Sequence, residues 1–263
     1  MEKTLVILLG NARGGEETWQ TMYSNLLEPF NADLALCFGK TDDKKASLYS
    51  RAKYVWELPE FENWRDYYDS IYSNPNWDCI FKLNKQTGLM GGIDNSIGSG
   101  AIIFAFRDFI LRTKQHILSK YDRIILTRSD YYYLDKHPIT PLGGVYVTEG
   151  EDYGGITDRH HVFDSKFSNL VLGVSDFMCN EENFEYLINR GTANPETVLQ
   201  AFFEHTGVIK VVHRCKRVQF TVATSFDSSR WQQAAGYIPG STTIRHKYIS
   251  EYHLAVSNVN KTC

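Results

Sequence analysis

Tyr121-Asp122-Arg123-Ile124-Ile125-Leu126-Thr127-Arg128-Ser129-Asp130 is the stretch on which the fold turns. Its apolar run, Ile124-Ile125-Leu126, reads as a buried strand that passes directly into Arg128-Ser129-Asp130. In an open α/β sheet, ligands sit in the crevice beyond the carboxyl ends of the strands. A carboxylate there is not left alone in the core, because burying an unpaired charge is too costly. Two readings therefore stand for Asp130. It pairs with Arg128 or caps a turn, or it faces a metal or a phosphate-bearing ligand.

Working back from this strand, helical and strand patterns alternate. Residues 4–9 form a continuous apolar run that ends at Gly10-Asn11-Ala12-Arg13-Gly14-Gly15, a buried strand followed by a turn. Residues 18–27 read as an amphipathic helix that stops near Pro29, and residues 32–38 as a second strand closed by Gly39. A short strand is expected at 54–58, a helix at 64–72 and a strand at 78–83. The glycine-rich segment 91–100 then leads into a long helix, 101–118, which feeds the Asp130 strand. This order implies a largely parallel sheet covered by helices.

Forward of Asp130 the pattern is less regular. Tyr131-Tyr132-Tyr133 alternates as a strand, with at least one ring in the core. Strands are expected at 144–148, 161–163, 208–213 and 218–223, and helices at 182–190 and 195–205, the latter opened by Pro195. From Ser225 the chain is polar, with Gly236, Pro239 and Gly240, and reads as a surface wrap or a lid. No repeat or linker interrupts the chain, so residues 1–263 are expected to form one domain.

Composition narrows the function. A net charge of −3 offers no broad electrostatic surface for nucleic acid. The 16 Tyr and 5 Trp suit sugar rings as well as a tyrosine-rich core. Cys37, Cys79, Cys179, Cys215 and Cys263 are scattered, with no CxxC pair, which points to reduced thiols. The apolar run 5–9 is too short for a signal peptide or a membrane span, so a cytoplasmic protein is expected. Asn260-Lys261-Thr262 is then an accidental sequon.

Several short motifs carry candidate chemistry. The loop around Gly10, Asn11 and Arg13 is placed like a phosphate-contacting turn, although it matches neither the dinucleotide fingerprint nor the P-loop. Asp94, Asn95 and Ser99 precede the long helix as caps or ligand contacts, and Arg107 lies two turns inside it. The loop Glu149-Gly150-Glu151-Asp152-Tyr153-Gly154-Gly155-Ile156-Thr157-Asp158-Arg159 joins flexible backbone to a charged pair. Asp158 there serves as a base or in an ion pair with Arg159. Glu196 sits at a helix start, where the dipole alone favours a carboxylate. His213 ends a strand and is a metal-ligand candidate, with His246 and His253 behind it.

Taken in this order, the motifs resemble a nucleotide-sugar glycosyltransferase of the glycosyltransferase-A fold, in a branch of microbial and large-virus glycan-building enzymes. The likeness covers roughly residues 1–220. It rests on Leu8-Leu9-Gly10-Asn11-Ala12-Arg13-Gly14, on Leu126-Thr127-Arg128-Ser129-Asp130 and on Gly154-Gly155-Ile156-Thr157-Asp158-Arg159. Arg128-Ser129-Asp130 stands where that family has Asp-x-Asp, and Arg128 departs from it, because an arginine cannot bind a cation.

The resemblance implies a Rossmann-like sheet with a nucleotide-sugar half at 1–135 and an acceptor half with its tail at 136–263. It implies a nucleoside diphosphate sugar donor, UDP-sugar favoured, and a glycan or glycoprotein acceptor. Mn2+ or Mg2+ is implied on Asp130 and His213, with the donor held by Gly10, Asn11, Arg13, Gly39, Asn95, Arg107, Arg128, Asp130 and Arg159. Asp158 is the first choice for the base and Glu196 the second. Two alternatives remain: an inactive glycan- or nucleotide-sugar-binding protein of the same fold, and a nucleotidyltransferase or sugar-nucleotide hydrolase.

Overall fold

A computed structural model describes residues 2–261 apart from Lys45, Thr192, Phe226 and residues 228–233. Its centre is a seven-stranded sheet of β1 (Thr4–Gly10), β2 (Asp33–Gly39), β3 (Tyr54–Leu58), β4 (Arg123–Arg128), β6 (Val145–Thr148), β7 (His161–Asp164) and β8 (Val212–Cys215). The order is β3-β2-β1-β4-β7-β6-β8. Strands β1, β2, β3 and β4 pair in parallel, as do β6 and β8, and β7 runs antiparallel between β4 and β6. The fold is thus mixed α/β around a mostly parallel sheet flanked by helices, as the alternating pattern predicts.

Both faces of the sheet are covered, which is why its strands read as unbroken apolar runs. Leu5 and Ile7 of β1, with Ile124 and Leu126 of β4, face a core that includes Phe104 and Ile110 of the long helix Gly100–Leu118. Val6, Leu8 and Ile125 point the other way, onto Trp19, Met22 and Leu26. Alternate residues of one strand therefore serve two layers, since successive side chains point to opposite faces.

A second, three-stranded antiparallel sheet has the order β10-β9-β5, formed by Tyr131–Tyr133 (β5), Gln219–Thr224 (β9) and Ile244–His246 (β10). Tyr131 and Tyr133 are buried on β5, as the alternation predicts. Beyond β10 the supposed tail forms a helix, Ile249–Asn260, instead of only a polar wrap. The remaining part of the lid reading, at Phe226 and residues 228–233, lies outside the described residues.

Three other expectations are corrected. Residues 78–83 contain a short helix, Cys79–Lys82, in place of a strand. Short apolar runs do not separate the two by pattern, and packing decides: Phe81 lies edge-on to Tyr68 at 5.0 Å. The 208–213 stretch begins as a 3-10 turn, Val208–Val211, launched from Gly207 in left-handed geometry, so strand pairing starts only at Val212. The first helix exceeds the expected 18–27: Gly15–Met22 continues through a wide turn, Tyr23–Leu27, into Glu28–Phe30, and it stops near Pro29 as expected. No helix among the described residues is long and apolar enough to cross a membrane.

Candidate active site

The carboxyl ends of β1 and β4 open into a cleft of about 570 Å3. Parallel pairing of Leu9 with Arg128 brings the Gly10 loop and the Arg128-Ser129-Asp130 corner to the same edge. Ser129 clasps the two together: its hydroxyl donates to the Asn11 carbonyl at 2.6 Å and accepts from the Arg13 amide at 3.0 Å. Gly14 turns here at φ +87°, and a Cβ on it would press on the Asp130 Cα at 3.1 Å.

Arg128 and Asp130 form a two-pronged pair. The guanidinium Nε donates to one carboxylate oxygen and Nη2 to the other, both at 2.7 Å. Asp130 is 2% exposed. Burial would raise its carboxyl, but the charge and hydrogen bonds of Arg128, aided by Lys247 and Arg13, hold it at about 2. The pairing reading of Asp130 is the one observed, and it lies within the cleft wall.

The antiparallel turn of β7 completes the other side. Because His161 pairs with Leu126, residues 158–160, just before β7, enter beside the end of β4. The loop before them lies against the start of the helix Pro195–His205: the Ile156 amide donates to the Glu196 carbonyl at 3.1 Å. A Cβ on Gly155 would overlap that same carbonyl, so only glycine permits the approach. Asp158 and Glu196 are thereby gathered in one wall of the cleft.

Glu196 is 7% exposed, and its carboxyl is pushed up to about 8, first by burial and then by the neighbouring Asp158. A helix N-terminus offers at most about 1–2 kcal/mol in the opposite sense, less than burial can exact. Arg159 ion-pairs with Glu251 at 2.6 Å, approaches Asp158 at 4.0 Å and lies over the Tyr248 ring at 4.6 Å.

Of the residues singled out in the sequence, Gly10, Asn11, Arg13, Arg128, Asp130, Asp158, Arg159 and Glu196 line this cleft. Gly39 lines an adjoining hollow with Trp19 and Tyr49, joined to the cleft through Asn11 and Glu60. Arg107 is fully buried behind the wall, where its Nη2 donates to the Asp158 carbonyl at 2.6 Å, so it positions the Asp158 loop. Asn95 is exposed on a left-handed turn and does not line the cleft. His246 is buried against Tyr252 of the last helix, with ring centroids 4.3 Å apart.

His213 is on β8, three strands from β4, which places it roughly 14 Å away at ordinary strand spacing. There its ring lies over Tyr146, with centroids 5.2 Å apart. The implied Mn2+ or Mg2+ does not fit these residues. Both Asp130 oxygens are held by Arg128, His213 is elsewhere, and no group of three metal-ligating side chains occurs among the described residues.

Lys247 and Tyr248 also line the cleft, and their role is not visible in the sequence pattern. Their only signal is the basic and aromatic run Arg245-His246-Lys247-Tyr248, attached to a three-residue strand too short to register as periodic. Tertiary pairing delivers them. The Asp130 carbonyl accepts from the Val222 amide at 2.9 Å, and the Thr221 carbonyl of the same strand accepts from the Lys247 amide at 3.0 Å. The cleft thus joins cations that can hold phosphate to carboxylates that can move a proton. No known protein family and no curated protein matches this chain.

Proposed function

We propose that the protein is a glycosyltransferase that moves a sugar from a nucleoside diphosphate sugar, UDP-sugar favoured, to a hydroxyl of a glycan or glycoprotein acceptor. The observation that carries this reading is one cleft lined by Arg13, Arg128, Arg159 and Lys247 on one hand, and by Asp158 and Glu196 on the other. Cations there suit a diphosphate, and a carboxylate beside it suits removal of a hydroxyl proton. The finer assignment to the glycosyltransferase-A fold belongs to the same proposal. So does the division into a donor half, 1–135, and an acceptor half, 136–263. It is supported by the parallel half leading to the Asp130 corner and by the Gly154-Gly155 loop that meets the Glu196 helix.

In the proposed reaction the acceptor oxygen bonds to the anomeric carbon while the bond from that carbon to the phosphate oxygen breaks. The electron pair leaves on the diphosphate, and the acceptor proton passes to Asp158. Glu196, whose carboxyl is pushed up to about 8, lines the same wall beside it. Arg107 holds the backbone of Asp158 in place from behind.

Product analysis with UDP- and GDP-sugars and a panel of glycan acceptors tests the reading. Sugar transfer is expected, and Asp158→Asn should lower it by about 10²–10⁴-fold while nucleoside diphosphate binding survives. Wild-type turnover in that variant would remove Asp158 as the base. Sugar release independent of acceptor would make the protein a hydrolase, and no consumption of any sugar nucleotide would leave a binding protein.

A further inference from the structure

We infer that this cleft binds the diphosphate group through Arg13 and Lys247 without a divalent metal, the two side-chain charges taking the metal's place. The inference rests on the diphosphate-sugar reading for its physiological ligand, but the anion site itself stands on geometry.

Asp130 is at the corner where a metal-binding carboxylate is expected, yet its two oxygens are consumed by Arg128 at 2.7 Å each. Releasing Asp130 for a cation would leave the Arg128 guanidinium unpaired in a buried wall, a cost of several kcal/mol. Arg128 pairs with Asp130, and Arg159 with Glu251, which also meets the buried Arg217 at 3.6 Å. Two cations remain. Neither the Arg13 guanidinium nor the Lys247 ammonium makes an ion pair or side-chain hydrogen bond among the described residues, and both line the cleft beside Asp130.

Among the described residues no other carboxylate forms an ion pair with either; Asp227, beside Arg13, accepts from the Gly14 and Thr224 amides at 3.1 and 2.8 Å. Glu60 is exposed at the cleft rim, while Asp158 and Glu196 are on the wall built by the Gly154-Gly155 loop. Burial, followed by the Arg128 charge, depresses the Lys247 ammonium to about 8. Crowded cations that lack an anion form a preorganised site for one. Two positive charges match the charge a divalent ion would bring to a leaving diphosphate. Nη1 of Arg128 is unused in its pair with Asp130, and Arg128 lines the same cleft.

The anchoring of Lys247 supports a built site. Its backbone is tied to Thr221, whose amide and hydroxyl donate to Glu251 at 2.6 and 2.7 Å, and Glu251 in turn holds Arg159. The last helix, β9 and the cation cluster are therefore one connected unit.

Calorimetric titration of the full chain with inorganic pyrophosphate and with UDP, each in EDTA and in MnCl2, tests the inference. Affinities in the two media should agree within about threefold, and Lys247→Gln should weaken binding in EDTA by at least about tenfold. Lys247→Arg, which keeps the charge, should stay within about threefold of wild type. Thermal melts establish that the variants are folded, and if Lys247→Gln does not fold, Arg13→Gln carries the same expected loss. Binding that requires Mn2+, absence of binding in both media, or wild-type affinity in the neutral variant overturns the inference. Metal-free pyrophosphate binding without any sugar transfer would sink the glycosyltransferase reading and leave the anion site standing.

Discussion

At the scale of single residues, Glu196 is the cleft carboxylate whose proton affinity burial raises. It binds its proton more tightly in the folded protein than in the unfolded chain, owing to burial and then Asp158, with Asp152 adding to the rise and Arg159 opposing it. Folding stability attached to this group is complete below the ordinary carboxylate range. It is lost progressively as pH rises from that range toward about 8. Glu196→Gln should therefore flatten the pH dependence of Tm between about pH 5 and pH 8 and melt higher than wild type at the alkaline end. Calorimetric scans across that interval check it; parallel curves would show that Glu196 ionises freely. Glu251 is likewise a buried carboxylate, with Arg159 and Thr221 as partners. Glu251→Gln should destabilise the protein by about 3–5 kcal/mol in urea denaturation, because it strands a buried guanidinium.

At the scale of elements, one contact sets the relation of the two carboxylates. The Asp158 loop packs on the start of the Pro195–His205 helix where Gly155 meets the Glu196 carbonyl. Gly155→Ala should force the loop away, lowering transfer by more than about tenfold, since misplacing a reacting group by roughly an ångström costs about that or more. Steady-state assays alongside a thermal melt separate this from global unfolding. The small sheet β10-β9-β5 matters equally, because it carries Lys247 to a corner made more than a hundred residues earlier.

At the scale of the whole molecule, a net charge of −3 coexists with a cleft that concentrates cations. Association of a nucleoside diphosphate should therefore slow as ionic strength rises, although the protein as a whole is acidic. Stopped-flow measurements from low to high salt check this, with a several-fold fall in the association rate expected. Saturating nucleoside diphosphate, at about a hundred times its Kd, should also stabilise the fold by about 2.7 kcal/mol. An unchanged Tm at that concentration would show that the cleft does not hold the ligand.

The amino-acid sequence by itself determined the mostly parallel α/β sheet, because strands buried on both faces must be apolar throughout and their boundaries fall at glycines such as Gly10 and Gly39. It also located most of the cleft wall, since residues at the carboxyl ends of such strands converge whatever their separation in the chain. Only the tertiary structure decided the partners. Whether Asp130 faces an ion or Arg128 depends on side-chain geometry across a two-residue separation, and the observed answer is Arg128. His213 reads as a strand-end ligand in sequence but belongs to the far edge strand, because strand order is set by packing and is not a function of chain order. Lys247 and Glu251 have no periodic signal; the pairing of β10 with β9 brings Lys247 into the cleft, and helix packing buries Glu251 behind it. Local pattern thus specifies which segments become strands and where their ends are, while the charge balance of the site arises from long-range pairing that no local pattern encodes.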